Sequence, residues 1–512
     1  MCVLSFSRMT GRMLYRITCL FYLSQIRRAN HDTETDHRRT MLQNNTPTFG
    51  ATHFGRAPLR DQRRTNRLVQ IADRCMEHPD GSLPNKLQDP AMYDAMDRLM
   101  RTPAVTHQSV LQTHREVTLE KMQQSRETLL VIHDGTELDF TSKESLKDQL
   151  GFVGGGTGHG YLCHNSLVVT AKTKEVLGLA NQILHHRENA PEGETKAEKR
   201  VRENRESLLW LRASQTIGNA PLECLCVDVC DRDADTFEFL DYEHQANKFY
   251  LIRAQYNRAI LTSHDDQGAS SRLFDYLRCQ EAVAGKVVYV QAQNDQKARY
   301  AKCLVSFAAV QIKAPNPASG IHGTKPLKVW AVRIWEIDAP ADVKEPLKWI
   351  LLTKVPVETA EDALERIEWY ETRWMTEEYH KAQKTGCGIE KSQFKKAAHL
   401  EPMIALLSVV AVQLLQLRFA SRDEARSQSS ATEYVSSDHV STLSIYRYQE
   451  SRPLTVHEFY WALARLGGHS GRRTRPPGWQ VLWRGWAKLQ HMVDYERARR
   501  IAQGVGRAPP EM

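Results

Sequence analysis

The chain reads as a mixed α/β protein, and three observations predict it. Between Glu127 and Asp231, short apolar strands alternate with polar turns and a charged helix. From 247 to 353 the texture becomes strand-rich, with Gly, Pro and Asn/Asp turns between the runs. On either side lie segments whose apolar residues recur at helical spacing. At 512 residues, 41% of them hydrophobic and 25% charged, the chain has room for about three domains and is not composed like a disordered protein.

Residues 1–50 read as a disordered extension, with Met41 a candidate natural start. The apolar stretch Met13–Ser24 is interrupted by Arg16, and no small-residue cleavage site follows before Arg27. No apolar run reaches the ~18 residues that a membrane helix needs, so no membrane partner is expected. Residues 51–125 are expected to form an N-terminal helical unit, with Leu68, Ile71 and Ala72 set among arginines and Met92, Met96 and Leu99 at helical spacing. A basic helical unit ahead of a larger body suits duplex DNA; the same pattern also suits a helical cap on the main domain.

The main domain is expected over 126–420. Strand Glu127–Asp134 opens it, and the glycine-rich Gly151–Gly160 precedes strands Tyr161–Thr170 and Glu175–Leu184. A charged helix over Lys196–Ile217 and a strand over Glu223–Cys230 follow. Residues 247–353 read as a β-rich insertion, and Met403–Arg418 as a long apolar helix returning to the core. Residues 421–445 read as a mobile polar linker, and 446–512 as an aromatic, amphipathic helical tail.

The balance of 69 basic and 61 acidic residues gives a net charge of +8, compatible with nucleic acid without requiring it. Its distribution is more telling: Arg56, Arg60, Arg63, Arg64 and Arg67 cluster early, and Arg465, Arg472, Arg473, Arg475 and Arg484 late. The ten cysteines form no CxxC pair. Cys224, Cys226 and Cys230 alternate along one expected strand and read as small core residues, consistent with a reducing cytosol.

The stretch Tyr370–Lys384 carries the chemistry. As a continuous helix turning about 100° per residue, it puts Tyr370, Arg373, Glu377 and Lys384 within roughly 60° of one another. A carboxylate flanked by cations suits a metal ion meeting a phosphodiester; a solvated, salt-bridged face is the bland alternative. Glu378 should point away and be structural. Asp134 ends the apolar run Leu129–Ile132 and Asp231 closes Leu225–Cys230, so the two would be neighbours if those strands are adjacent. Converging carboxylates are what hard Mg2+ or Mn2+ requires. Asp228, Asp233 and Asp235 are weaker candidates. The glycine-rich loop lacks a following Gly-Lys-Ser/Thr, so it reads as an active-site loop rather than a nucleotide site.

Three strands, a helix and a fourth strand resemble the opening of the ribonuclease-H-like fold. His133-Asp134-Gly-Thr, Val229-Cys-Asp231-Arg-Asp-Ala-Asp235 and the Tyr-x2-Arg-x3-Glu-x6-Lys signature resemble the DDE transposases of the insertion-sequence-four family, in its transposon-five-like branch (the YREK signature). Pro346–Thr353, Glu378–Gly386, Val412–Arg418 and Ala464–Gly468 extend the likeness, in order, over Phe54 to Ala502. The resemblance implies that Asp134, Asp231 and Glu377 are the catalytic and metal-binding triad, with two Mg2+ or Mn2+ ions per site. It implies that Tyr370, Arg373 and Lys384 grip phosphates and that Trp349 stacks on a flipped base, a core tryptophan being the alternative for Trp349. Arg60, Arg63, Arg64 and Arg67 would contact the terminal repeat, and the C-terminal helices would form a homodimer's dimerisation region. Gly135 stands where the family pattern has a small hydroxyl residue.

The implied activity is cut-and-paste transposition on double-stranded DNA, both element ends and target, at the nucleoid of a bacterial cytoplasm. A catalytically silent end-binding repressor and a host nuclease of the same fold are the competing classes. Metal-dependent cleavage discriminates against the first, and specific binding to inverted repeats against the second.

Overall fold

The computed structural model describes residues 47–219, 223–262, 271–291, 297–315, 321–471 and 477–503. The expected extension before residue 47, and Arg472, Arg473 and Arg475, lie outside these.

Among the described residues five helices come first: α1 (Phe49–Phe54), α2 (Gln62–Glu77), α3 (Leu83–Leu87), α4 (Pro90–Met100) and α5 (His107–Gln124). Asp61 caps α2 by accepting the Arg63 N–H at 2.9 Å, and Thr106 and Ser109 form a reciprocal capping box on α5. The last residues of the expected extension are thus already ordered, since Phe49 and Gly50 belong to α1.

One twelve-stranded sheet forms the centre. Its strands are β1 (Leu129–Asp139), β2 (Gly151–Val153), β3 (Gly158–Thr170), β4 (Val176–His185), β5 (Cys226–Cys230), β6 (Phe249–Arg253), β7 (Ala259–Leu261), β8 (Ser271–Arg272), β9 (Ala284–Val290), β10 (Arg299–Ile312), β11 (Leu327–Glu336) and β12 (Lys348–Thr353). The order is β2-β3-β1-β5-β6-β12-β11-β10-β7-β8, with β4 beside β3 and β9 beside β10. β1, β5 and β6 run parallel, and the remaining pairings are antiparallel. The β-rich segment expected as an insertion therefore continues the central sheet, and its first strand, β6, is one of the parallel trio. Hydrogen-bonding groups left open along β6 are paired by β12, which joins the two halves.

The expected single helix over Lys196–Ile217 is broken into α6 (Lys196–Val201) and α7 (Leu209–Ile217). Between them Asn204 donates its amide to the His186 carbonyl at 3.1 Å, a tertiary bond that draws the chain out of helical path. α8 (Phe237–Gln245) packs on the same side as α7, and α9 (Leu273–Arg278) lies in the β-rich half. α10 (Ala360–Thr372) and α11 (Trp374–Lys381) follow, and then α12 (Ala397–Ala420). α12 is long and apolar enough by length and composition to cross a membrane, contrary to the expectation that no such run exists; it is buried along nearly its whole length. A helix apolar all round is what a core position demands. α13 (Ser437–Tyr448), α14 (Val456–Leu466) and α15 (Trp479–Ala502) are the last of the described elements.

Phe49–Met512 is one compact unit. A single hydrophobic cluster runs from Phe54, Leu68 and Ile71 through Leu130, Ile132, Ile404 and Leu407 to Phe459, Trp483 and Leu489. The N-terminal helices are thus packed on the body, and α5 lies against β4, with Arg115 donating to the Ala180 carbonyl at 2.8 Å. The expected linker is likewise packed: Ala431, Val440 and Leu443 are buried, and the Ala431 N–H donates to the Leu454 carbonyl at 2.9 Å. Polar composition there reflects short turns whose side chains bond to the backbone rather than mobility. α14 and α15 cross backbone to backbone. A Cβ on Gly485 would sit 2.1 Å from the Leu463 carbonyl oxygen, and one on Gly467 1.8 Å from that of Val481. Trp486 on α15 donates its indole N–H to the Glu77 carbonyl at 2.9 Å, so the C-terminal helices also grip α2.

Candidate functional site

The parallel pairing of β1 with β5 ends at His133 and Cys230, and side chains on one face line up there, although β1 itself runs on to Asp139, past the strand end expected at Asp134. The register Ile132–Val229–Leu251 across β1, β5 and β6, continued by two residues, sets Asp134, Asp231 and Arg253 in one row. Asp134 is buried; its Oδ1 accepts the Gly135 N–H at 2.8 Å and its Oδ2 the Thr376 hydroxyl at 2.9 Å. Asp231 is half-buried and accepts the Asp233 N–H at 3.2 Å. Burial, then the neighbouring charges of Asp134 and Asp233, push its carboxyl up to about 7.

The expected continuous helix from Tyr370 to Lys384 is interrupted twice. α10 ends at Thr372, Arg373 sits at the junction, and after α11 the chain makes a π-helical turn over Ala382–Gly386. A wide turn of this kind shifts the helical phase of the residues beyond it, so the simple arc does not describe the four side chains. Arg373 points into the row of acids: it bonds to the Asp134 carboxylate and lies 3.6 Å from Glu377 Oε1. Burial works against its charge, but Asp134, Tyr370, Asp231 and Glu377 together raise its pKa. Glu377 remains about a third exposed, its side chain 38% accessible.

Lys384 lies beside this group rather than within it. Its ammonium donates to the Glu137 carbonyl at 2.9 Å and pairs with Glu390 at 3.3 Å. Tyr370 is buried, not on an open face, and its phenol bonds to Arg253. Trp349, half-buried on β12, meets the Tyr370 ring edge-on with centroids 5.1 Å apart. Glu378 is buried between Arg418 and the Trp479 indole N–H, both at 2.8 Å.

The weaker acids are engaged elsewhere. Asp228 points to the opposite face, 3.2 Å from Lys248 and 3.5 Å from His133. Asp235 is buried and holds Arg258 and the Gln255 N–H, each at 2.8 Å. Sequence reasoning missed Thr376, Arg253, Arg232 and Lys348. The last three, with Gln255 and Phe274, line a hollow of about 150 Å3 at the same edge. Arg232, Arg253 and Lys348 make no ion pair with a carboxylate among the described residues. For Arg232 and Lys348, adjacency to Asp231 and Trp349 was the available signal; Arg253 had none.

Oxygen donors of Asp134, Asp231 and Glu377 are the hard ligands that Mg2+ or Mn2+ prefers; burial is the main cause of the raised pKa of Asp231, and the charges of Asp134 and Asp233 add to it. As arranged, no three His, Cys, Asp or Glu side chains among the described residues are close enough to hold one ion. The guanidinium of Arg373 bridges Asp134 and Glu377 instead.

Away from the acids, α2 displays the basic cluster. Arg63 is 92% accessible and pairs with Asp61 at 3.1 Å; Arg60 is exposed in a left-handed backbone conformation. Arg64 donates to the Leu59 carbonyl at 3.1 Å and Arg67 to the Met92 sulfur at 3.7 Å. Arg56 is drawn onto α5 by Glu116 and Glu120. α13 and α15 leave between them an apolar hollow of about 510 Å3, bordered by Ile445, Tyr446, Met492 and Tyr495.

Residues 48–105 match the family described as transposase DNA-binding. Arg60 and the helix that carries Arg63, Arg64 and Arg67 thus fall inside a DNA-binding segment of the transposase type, and DNA is a partner of the chain.

Proposed function

We propose that this chain is a cut-and-paste transposase of the insertion-sequence-four family, in the transposon-five-like branch. The observation that carries the reading is the combination, in one compact unit, of a transposase-type DNA-binding segment with the acids Asp134 and Asp231 set side by side where the parallel pairing of β1 and β5 ends. The order β4-β3-β1-β5-β6, with only β1, β5 and β6 parallel, supports a ribonuclease-H-like core.

Asp134, Asp231 and Glu377 would hold Mg2+ or Mn2+, two ions per site, and the bound metal would activate the attacking oxygen and stabilise the leaving one. The chain's own groups do the rest. Arg373 and Lys384 neutralise phosphate oxygens near the scissile bond, and the buried Tyr370 phenol acts through Arg253, holding that guanidinium toward the same strand. Trp349 presents an aromatic face to an unstacked base. Arg232, Arg253 and Lys348 add positive charge along the strand's path. Arg60, Arg63, Arg64 and Arg67 meet phosphates and bases of the terminal repeat, and the apolar face of α13 and α15 joins two copies in the synaptic complex. The setting is the nucleoid of a bacterial cytoplasm.

The test uses a labelled duplex bearing the element's terminal repeat, with Mg2+ or Mn2+, and compares wild type with Glu377→Gln. Cleavage at the end by wild type alone supports the reading. Specific binding without cleavage by either protein would instead describe an end-binding repressor, and cleavage by both would refute the site.

A further inference from the structure

We propose that Arg373 is an internal counter-ion that keeps the acidic site closed to divalent metal until a DNA phosphate draws it away. This rests on the reading of Asp134, Asp231 and Glu377 as metal ligands. The same guanidinium bonds Asp134 and approaches Glu377, occupying with its own positive charge the space between two carboxylates that an ion would bridge. Thr376 bonds the same Oδ2 of Asp134 that Arg373 does, and the Gly135 N–H holds Oδ1, so the carboxylate keeps two partners when the guanidinium leaves. Arg373 sits at the one-residue junction between α10 and α11 with helical backbone angles (φ −51°, ψ −31°), and its side chain is 20% accessible. A phosphodiester arriving over that edge offers a planar guanidinium two oxygens of matching geometry, a partner as good as the carboxylate it leaves.

Moving Arg373 from the acids to the strand has two consequences that reinforce each other. It removes a cation from the site, and it leaves the Asp134–Asp231 pair without the charge that moderates their repulsion. Metal binding then becomes favourable where it was opposed. Linkage makes the coupling reciprocal: DNA tightens metal, and metal tightens DNA. Such an order of assembly would keep a nuclease inert until its substrate is seated. An arginine that merely braces the α10–α11 junction would show none of this coupling.

The experiment measures Mn2+ affinity of the full chain by calorimetry or by the loss of the free-ion electron paramagnetic resonance signal, so that activity is not the readout. Wild type, Arg373→Gln and Arg373→Lys are compared without DNA, and wild type and Arg373→Gln again with a short duplex, the duplex's own Mn2+ binding being subtracted. Thermal melts establish that each variant is folded, and Arg373→Lys keeps the charge if Arg373→Gln does not fold. The expected result is that Arg373→Gln binds Mn2+ about tenfold more tightly than DNA-free wild type. Arg373→Lys should fall between them. Duplex should tighten Mn2+ binding to wild type and leave Arg373→Gln unchanged. Adding Asp134→Asn to Arg373→Gln should abolish the tight site. Equal affinity of DNA-free wild type and folded Arg373→Gln would overturn the counter-ion role while leaving the acids as ligands. No binding by any protein, with or without duplex, would overturn the ligand reading and this proposal together.

Discussion

Glu377 and Glu378 are adjacent in sequence and opposite in environment. Glu378 is buried against Arg418 and the Trp479 indole, whereas Glu377 faces the edge where Asp134 and Asp231 meet, with Arg373 as its neighbour. Removing Glu378 strands a buried guanidinium, so Glu378→Ala should cost roughly 3–5 kcal/mol of folding stability. Glu377→Ala, losing one half-exposed pair, should cost no more than about 1 kcal/mol. Urea denaturation of both variants decides it. Comparable losses would mean that the two glutamates do not divide structure and site between them.

The raised carboxyl of Asp231 predicts a pH dependence with a definite sign. Its folded pKa lies at about 7 against an ordinary value of 3.8. In the metal-free protein the folded state therefore holds a proton that the unfolded state has released. The stability that this proton provides is complete below the ordinary pKa and is lost as pH rises through about 7. Wild type should lose stability relative to Asp231→Asn between about pH 4 and pH 7.5, in melts run with chelator. Divalent metal should reverse the trend, because ligands bind deprotonated and relieve the charge. A difference that stays flat with pH would show that the environment of Asp231 is ordinary.

Close passage of α14 over α15 depends on two residues without side chains. Gly485→Ala would drive a methyl group against the Leu463 carbonyl, a backbone atom that cannot swing aside. Destabilisation of about 1–3 kcal/mol is expected. Gly478→Ala, where no atom lies within 4 Å of the added Cβ, is the control and should melt like wild type.

The arginines of α2 differ in how free they are. Arg63 is almost wholly exposed, while Arg64 and Arg67 are partly spent on Leu59 and Met92. Arg63→Ala should weaken duplex binding and lower the slope of log affinity against log salt by about one, with no change in melting temperature. Arg64→Ala should lower both affinity and stability. A salt slope unchanged by Arg63→Ala would remove that residue from the DNA surface.

Much of the site was legible in local pattern. Asp134 does not end its strand, since β1 runs on to Asp139, but the apolar runs before Asp134 and Asp231 brought the two to one edge because their strands are adjacent and parallel up to His133 and Cys230. The outward turn of Glu378 from Glu377 followed from helical geometry alone. The breaks at Arg373 and at Ala382–Gly386 were not legible, because helix composition there is continuous, whereas the bonds of Thr376 to Asp134 and of Gln383 to Ser408 form only between distant segments. Burial of Tyr370 escaped for the same reason: its pocket is made by Trp349 and Arg253, which are remote in sequence.

What the sequence determined by itself is the periodicity of each element, the class of fold and the chemical character of the residues at strand ends and on α2. Periodicity is set by neighbours along the chain, and neighbours are what a sequence displays. What only the tertiary structure decided is partnership. It joined the β-rich segment to the central sheet and fastened the N-terminal and C-terminal helices to one core. It also set Arg253 in the row of acids and Arg373 between Asp134 and Glu377. Those contacts are chosen by strand register and by charge seeking charge across a shared edge, terms that arise only when distant segments meet.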